Sequence, residues 1–293
     1  MRLYALALFV ASCMSFSLLT SKILKNPDAV EPIAAQKSSQ LAEEVEPRSR
    51  LRVVAVSATP DPSTAAIFIQ YPKQGTMLKG NPVWVQVRVE GYPLGSDSEF
   101  DRSSEIFDSS MGQTVRVMID NDPYFPINGP SLQPFNEDGF YYDQNFKFQI
   151  PETLKEGFHT IRIFPARSFG ESLKGERTFQ ASYFYVGNKT DEHIDWLSRP
   201  YLTYNEPTEQ SYYAEDKPIL LDFYLSNCEL SPDGYRVRLS IDGQGARTLT
   251  AWQPYYLYGL SKGRHTIRLE LIDPKGKLVP GPFNDNTRKI AIH

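Results

Sequence analysis

The sequence predicts an all-β chain built from two tandem β-sandwiches, and three observations carry that prediction. One stretch is written twice: LKEGFHTIRIF from Leu154 to Phe164, and LSKGRHTIRLEL from Leu260 to Leu271. Each copy sets a turn glycine before a run whose apolar residues alternate, the mark of a half-buried strand. Secondly, three further pairs of alternating runs recur in the same order around the two copies. Thirdly, the chain is rich in rings, with 17 Tyr, 17 Phe and 3 Trp, residue types that suit strands. No strong helical periodicity interrupts the pattern.

Residues 1–20 form an apolar run that begins with one positive charge, Arg2, and is followed by Lys22 and Lys25 as the next charges. We read it as a signal peptide or membrane anchor. Val10-Ala11-Ser12-Cys13 resembles a bacterial lipoprotein signal, in which small residues precede a cysteine that becomes the lipidated first residue, so Cys13 is the expected lipidation site. An uncleaved anchor and a cleaved secretory peptide stay open beside it. All three carry the body of the protein across or onto a membrane.

Residues 21–57 read as a flexible tether. Ala, Glu, Lys, Ser and Pro dominate to about residue 50, too little apolar surface to offset the entropy of ordering. LRVVAV, from Leu51, has the composition of a short extra strand, and Ala58-Thr59-Pro60-Asp61-Pro62 breaks it.

The first sandwich is expected over residues 58–187 and the second over 201–293, joined by a short polar linker at 188–200. IFIQYP (Ile67 to Pro72) and YLTYNEP (Tyr201 to Pro207) open the copies. Val83, Val85, Val87 and Val89 alternate with polar or aromatic residues, as do Ile219, Leu221, Phe223 and Leu225 with Leu220, Asp222 and Tyr224. Pro82 and Pro218 precede these runs, where a missing N–H costs nothing. The third pair is Val115, Val117 and Ile119 with Asp120, against Val237, Leu239 and Ile241 with Asp242. Final strands lie at Phe179 to Val186 and Arg288 to Ile292.

The offset between copies falls along the chain, from 136 at Pro82/Pro218 to 106 at His159/His265. The first copy therefore has the longer connections. They are Gly91 to Gln113 and Asn121 to Phe146, lengths that in a compact domain mark functional or poorly ordered loops.

About seven short strands in some 100 to 120 residues is the pattern of an immunoglobulin-like sandwich. The chain from residue 67 to 293 resembles bacterial immunoglobulin-like and fibronectin-type modules of envelope proteins. There, a leucine, a turn glycine and a ring residue introduce the penultimate strand. Here His159 and His265 stand where such folds often carry a tyrosine bonded to a nearby backbone group. The resemblance implies a fold and no residue set for an activity.

His159 keeps step with Ile161 and Ile163, and His265 with Ile267, Leu269 and Leu271, so both histidines point inward while the arginines of the motif fall on the other face. We assign both histidines a structural role, each satisfying a backbone group at a sandwich corner. With no second histidine or cysteine at ligand spacing, a zinc site is not expected. Asp120 to Asp122 and the acidic run Asp97, Glu99, Asp101, Glu105 match no calcium-loop spacing. No metal and no cofactor is expected. Cys228 reads as a small core residue.

No nucleophile elbow, metal-protease pair, phosphate loop or CxxC pair occurs, so the chain is not expected to be an enzyme; a site in the Asn121 to Phe146 insertion is the weakest alternative. The net charge is −4, with 11 basic against 15 acidic residues over 67–187 and 12 against 11 over 196–293. Neither half carries the clustered basic surface nucleic acid needs. Aromatic segments at Pro123 to Phe125, Phe140 to Tyr142 and Trp252 to Tyr258 are the candidate binding features. Trp252, Tyr255, Tyr256 and Tyr258 form the densest of them. The sequence thus points to a membrane-tethered, extracytoplasmic binding or structural module of a bacterial cell envelope. Its partner would be another envelope protein or a glycan, and a carbohydrate-binding accessory module is the alternative.

Overall fold

The computed structural model describes residues 51–128, 144–190, 195–209 and 211–293. The expected anchor with Cys13, the tether to residue 50, Phe140 to Tyr142 and His193 lie outside the described residues.

The strands are β1 (Arg52–Ala55), β2 (Ala66–Tyr71), β3 (Thr76–Leu78), β4 (Trp84–Glu90), β5 (Thr114–Ile119), β6 (Phe125–Ile127), β7 (Gln144–Gln149), β8 (Gly157–Ala166) and β9 (Gln180–Val186). They continue with β10 (Tyr201–Glu206), β11 (Ile219–Ser226), β12 (Arg236–Ile241), β13 (Gln244–Leu249), β14 (Tyr255–Tyr258), β15 (Gly263–Ile272) and β16 (Asp285–Ile292). A one-turn helix α1 (Arg102–Glu105) sits in the first long insertion. The chain is all-β, and each expected alternating run is a strand.

In the first sandwich a three-stranded sheet, β2-β4-β7, faces a five-stranded sheet, β3-β9-β8-β5-β6. In the second, β1-β14-β11-β10 faces β13-β12-β15-β16. The two orders superpose strand for strand: β2, β4 and β7 correspond to β10, β11 and β14, while β5, β8 and β9 correspond to β12, β15 and β16. Both sandwiches close on the period-two residues the sequence singles out. Val85, Val87 and Val89 meet Val117, Ile161 and Ile163 in one core. Leu221 and Phe223 meet Leu239, Ile267 and Leu269 in the other.

Three features depart from the sequence reading. The insertion at Asn121 to Phe146, expected to be a loop, contributes β6 and the start of β7, and β7 pairs with β4 from Gln144↔Val89 to Gln149↔Trp84. Phe146 and Phe148 alternate across β7, which earns it a place against the first core. The aromatic segment at Trp252 to Tyr258, singled out as a binding feature, is committed to a sheet: its last four residues are β14, paired with both β1 and β11. Its alternation is hidden because both faces are covered, so all four positions are apolar or aromatic.

The third departure is one of placement. LRVVAV, which has the composition of a short extra strand at the end of the tether segment, does form a strand, β1, and it pairs antiparallel with β14 of the second sandwich, Val53 opposite Leu257. Leu51 and Val53 pack against the second core.

The two sandwiches also meet face to face. The outer face of β5 and β8 packs on the outer face of β10 and β11, so β5 and β10 are buried at every residue. A third apolar cluster seals this junction: Ile106 and Phe169 from the first sandwich against Leu220 and Tyr256 from the second, with Val56 and Tyr258 at its margin. Phe179 stacks on Tyr224 at 4.5 Å between ring centres.

Candidate functional site

Three arrangements of polar and aromatic side chains compete as the site. The first occurs once per sandwich. Asp120 and Asp242 follow β5 and β12 at φ of 50° and 52°, the left-handed region that aspartate tolerates better than most residues. That turn aims each carboxylate back at the neighbouring strand of the same sheet, β8 for Asp120 and β15 for Asp242. Asp120 Oδ1 accepts the Thr160 N–H at 2.8 Å and Oδ2 meets His159 Nδ1 at 2.8 Å. His159 Nε2 lies 2.8 Å from the Lys155 carbonyl oxygen. The second copy repeats this with Asp242, Thr266, His265 and the Ser261 carbonyl, all at 2.7 Å.

Each imidazole therefore faces two acceptors, a carboxylate and a carbonyl, and only the doubly protonated ring can donate to both. Burial lowers the pKa of both histidines. The bonds to the aspartate and the carbonyl outweigh it, and both stand above the usual histidine value. The Asp242 carboxyl is held below its usual value: desolvation opposes this, and the hydrogen bonds from His265 and Thr266 prevail. The repeated clasp ties a turn to the start of the penultimate strand in each sandwich.

The second arrangement is the buried polar layer between the sandwiches. Glu206, at the end of β10, accepts bonds from Arg116, from Tyr124 Oη at 2.6 Å and from Tyr213 Oη at 3.1 Å. Gly170 permits this close approach, since a Cβ there would sit 3.2 Å from Glu206 Oε1. Asp222, fully buried on β11, accepts from Ser172 Oγ and Asn205 Nδ2 at 2.6 Å and from Lys174 Nζ at 2.7 Å. A cavity of about 180 Å³ adjoins Arg116, Tyr124 and Glu206. Desolvation drives the phenols of Tyr124 and Tyr213 well above their ordinary pKa, so they remain donors to the carboxylate.

The third is open. A cleft of about 560 Å³ runs along the junction, walled by Phe179, Tyr183, Tyr201, Tyr224 and Trp252 and edged by polar Lys174, Ser198, Ser226 and Asn227. Trp252 is held there by its Nε1–H, donated to the Phe223 carbonyl at 2.9 Å, and by an edge contact with Tyr224 at 5.1 Å. Lys174 Nζ lies 5.4 Å from the Tyr224 ring centre and 5.8 Å from that of Trp252. Such a mixture of ring faces and convergent polar groups is the usual make-up of a small-ligand site.

The sequence-derived aromatic patch is divided by the strand it belongs to. Trp252 lines the cleft. Tyr255 turns into the second core, its hydroxyl donating to the Ala251 carbonyl at 2.7 Å. Tyr256 turns to the junction and donates to Glu105 at 2.7 Å. Tyr258 lies beneath the Arg52 guanidinium, 4.9 Å from its ring centre. The other cleft rings escaped the sequence reading. Tyr201 and Tyr224 sit on the face opposite the core residues of their strands, and an aromatic on both faces of one strand was the available signal.

Among the described residues no group of three or more His, Cys, Asp or Glu side chains is placed to hold a metal ion. Among them, no helix is long and apolar enough to cross a membrane. Cys228 is a free thiol at the edge of the second core, its pKa raised to about 11 by burial.

No protein-family model and no curated protein matches the sequence. Several solved structures are similar. Fibronectin(III)-like modules of Clostridium thermocellum CbhA align over 77% of this chain and 93% of theirs at 12% identity, with a TM-score of 0.26. Bacteroides ovatus SGBP-B, of a mixed-linkage glucan utilization locus and solved with a mixed-linkage heptasaccharide, aligns over 77% of this chain and 47% of its own at 15% identity and a TM-score of 0.18. Dpr2 Ig1-Ig2, in complex with DIP-Theta Ig1-Ig3, aligns over 78% of this chain and 99% of that one at 10% identity and a TM-score of 0.18. At such TM-scores these likenesses carry no argument, and the sandwich architecture rests on this chain's own strands and cores.

Proposed function

We propose that the chain is a non-enzymatic binding module of the bacterial cell envelope, held at a membrane by its N-terminal run. In this reading the two sandwiches form one rigid body, and the ligand lies in the cleft between them. The observation that carries it is the aromatic cleft. Its rings are fixed by the junction while its polar rim stays open to solvent. The buried carboxylates Glu206 and Asp222 are by contrast saturated with hydrogen bonds and serve to hold the body together.

The ligand chemistry that suits this cleft is carbohydrate. Flat faces of Tyr183 and Trp252 offer stacking surfaces for sugar rings, and Ser198 and Asn227 offer hydrogen bonds at the rim. Binding of a glycan panel to the full chain is expected to fall at least about tenfold on Trp252→Ala, equivalent to one lost stacking contact. Absence of binding to any glycan, or binding indifferent to both Trp252→Ala and Tyr183→Ala, would remove the carbohydrate reading. A protein ligand sought by envelope pull-down would then take its place. For the anchor, Cys13→Ser is expected to abolish fatty-acid labelling, and labelling unchanged by that substitution removes the lipid.

A further inference from the structure

β1 precedes the first sandwich in the chain yet belongs to the second, where it covers the outer edge of β14. Among the described residues the corresponding edge of the first sandwich, at β7, has no such strand. The fit is specific on both faces. Leu51 and Val53 enter the second core, Val56 joins the junction cluster, and Arg52 lies over the Tyr258 ring.

The strand is nevertheless lightly held. It is four residues long, Arg52, Val54 and Ala55 are exposed, and Val54 keeps 39% of its surface in water. Beyond it the chain is pinned to the first sandwich. Thr59 donates its N–H and its hydroxyl to Glu171 at 2.9 and 2.6 Å, and Asp61 meets Arg167 at 2.9 Å. Only Val56, Ser57 and Ala58 lie between the strand and that pin, the last two exposed.

We propose that the β14 edge is a strand-acceptor site and that residues 51–56 are its exchangeable donor. The donor seats in its own chain as here, or on β14 of a second copy. An edge strand is a template for whichever extended segment matches it. The segment that matches best on these contacts is this one, and every copy of the chain carries it at the end of a hinge. Exchange through a short hinge loop is the ordinary route to a swapped dimer.

The test shortens the hinge. Full-length chain lacking Ser57 and Ala58, kept in mild detergent, cannot hold both the Thr59 pin and its own β14, and light scattering is expected to show a shift to dimer relative to the unaltered chain. An excess of synthetic peptide Leu51 to Ser57 should return it to monomer. The same peptide with Leu51→Asp and Val53→Asp should need more than about tenfold higher concentration, because both charges would enter the core. Should the shortened chain fail to fold, a protease site inserted between Ser57 and Ala58 of the full chain replaces it. Labelled peptide then binds after cutting and not before. A shortened chain that folds as a monomer, a dimer the peptide leaves intact, equal binding of the two peptides, or a cut chain that unfolds or refuses the peptide would each overturn the proposal. No sugar or membrane enters these measurements, so their failure is separable from failure of the cleft reading.

Discussion

The same four residues, His-Thr-Ile-Arg, end in opposite surroundings in the two sandwiches. Arg162 is 0% exposed, and its guanidinium donates to Thr203 Oγ1 at 2.8 Å, to the Leu202 carbonyl at 3.3 Å and to the Asp120 carbonyl, with the Phe283 ring 4.2 Å away. Arg268, its counterpart, has a side chain 44% exposed and pairs bidentately with Asp285 at 2.7 and 2.6 Å. Burial pulls Arg162 down to about 10, while the bond to Asp285 holds Arg268 above the usual value. A neighbouring pair behaves alike: Arg116 is buried with Glu206, whereas Arg238 reaches Glu270 at 3.4 Å from a side chain 32% exposed. An outward-facing arginine on an immunoglobulin-like sheet is thus a solubilising group or an interface bolt according to what covers it. Here the second sandwich covers the first copy's sheet, and water covers the second's.

The sharpest way to break this comparison is to remove the bolts. Arg116→Ala leaves Glu206 charged and buried with only phenols and is expected to lower unfolding free energy by about 3–5 kcal/mol. Arg238→Ala, at the matching position, should cost no more than about 1 kcal/mol. Denaturant titration of the two variants checks this; equal losses would mean that the junction contributes nothing to Arg116.

A smaller effect sharpens the one feature the copies share. His159 and His265 have folded pKa values above the ordinary histidine value. A group raised in the folded state contributes its full stability below its unfolded pKa, near about 6.5, and loses that contribution as pH rises through the folded value. Thermal stability should therefore fall as pH is raised above about 6.5, as each clasp loses one of its two imidazole donors. His159→Gln combined with His265→Gln should flatten that part of the profile. In histidine ¹⁵N spectra both rings should appear doubly protonated at pH 6, and a neutral ring there would refute the two-acceptor reading.

The strand order and both cores are legible in the sequence because each rests on period-two alternation: Val83 to Val89 and Leu221 to Leu225 commit one face to a core wherever the sheet ends up. The histidine clasp is half legible, since the phase of His159 turns it inward but the aspartate 39 residues earlier is met only through the fold. The junction is not legible from the repeated motif, whose letters are identical in both copies. Its signal lies on the partner. β11 carries Leu220 and Tyr224 on the face opposite Leu221 and Phe223, and a strand apolar on both faces needs a second covering layer. β1 is hidden for another reason. Four residues of RVVA specify an edge strand but not which of the open edges takes it.

The mildest substitution tests the comparison from its exposed side. Arg268→Ala removes a pair with Asp285, both side chains solvated, and a 3.2 Å approach to the buried Glu270, which keeps Arg238 as a partner. Solvent and salt screen such a network, so a loss of about 0–1 kcal/mol is expected, and it should shrink further at 1 M salt, where the screening length is only about 3 Å. Arg162→Ala must behave differently. Its donors answer carbonyl and hydroxyl oxygens that water cannot reach, and its Nε already lacks an acceptor. The loss should exceed that of Arg268→Ala by at least about 1 kcal/mol and be indifferent to salt. If Arg268→Ala proved the costlier of the two, the second sandwich's open sheet would have to be covered in solution, and its arginine would be a bolt as well.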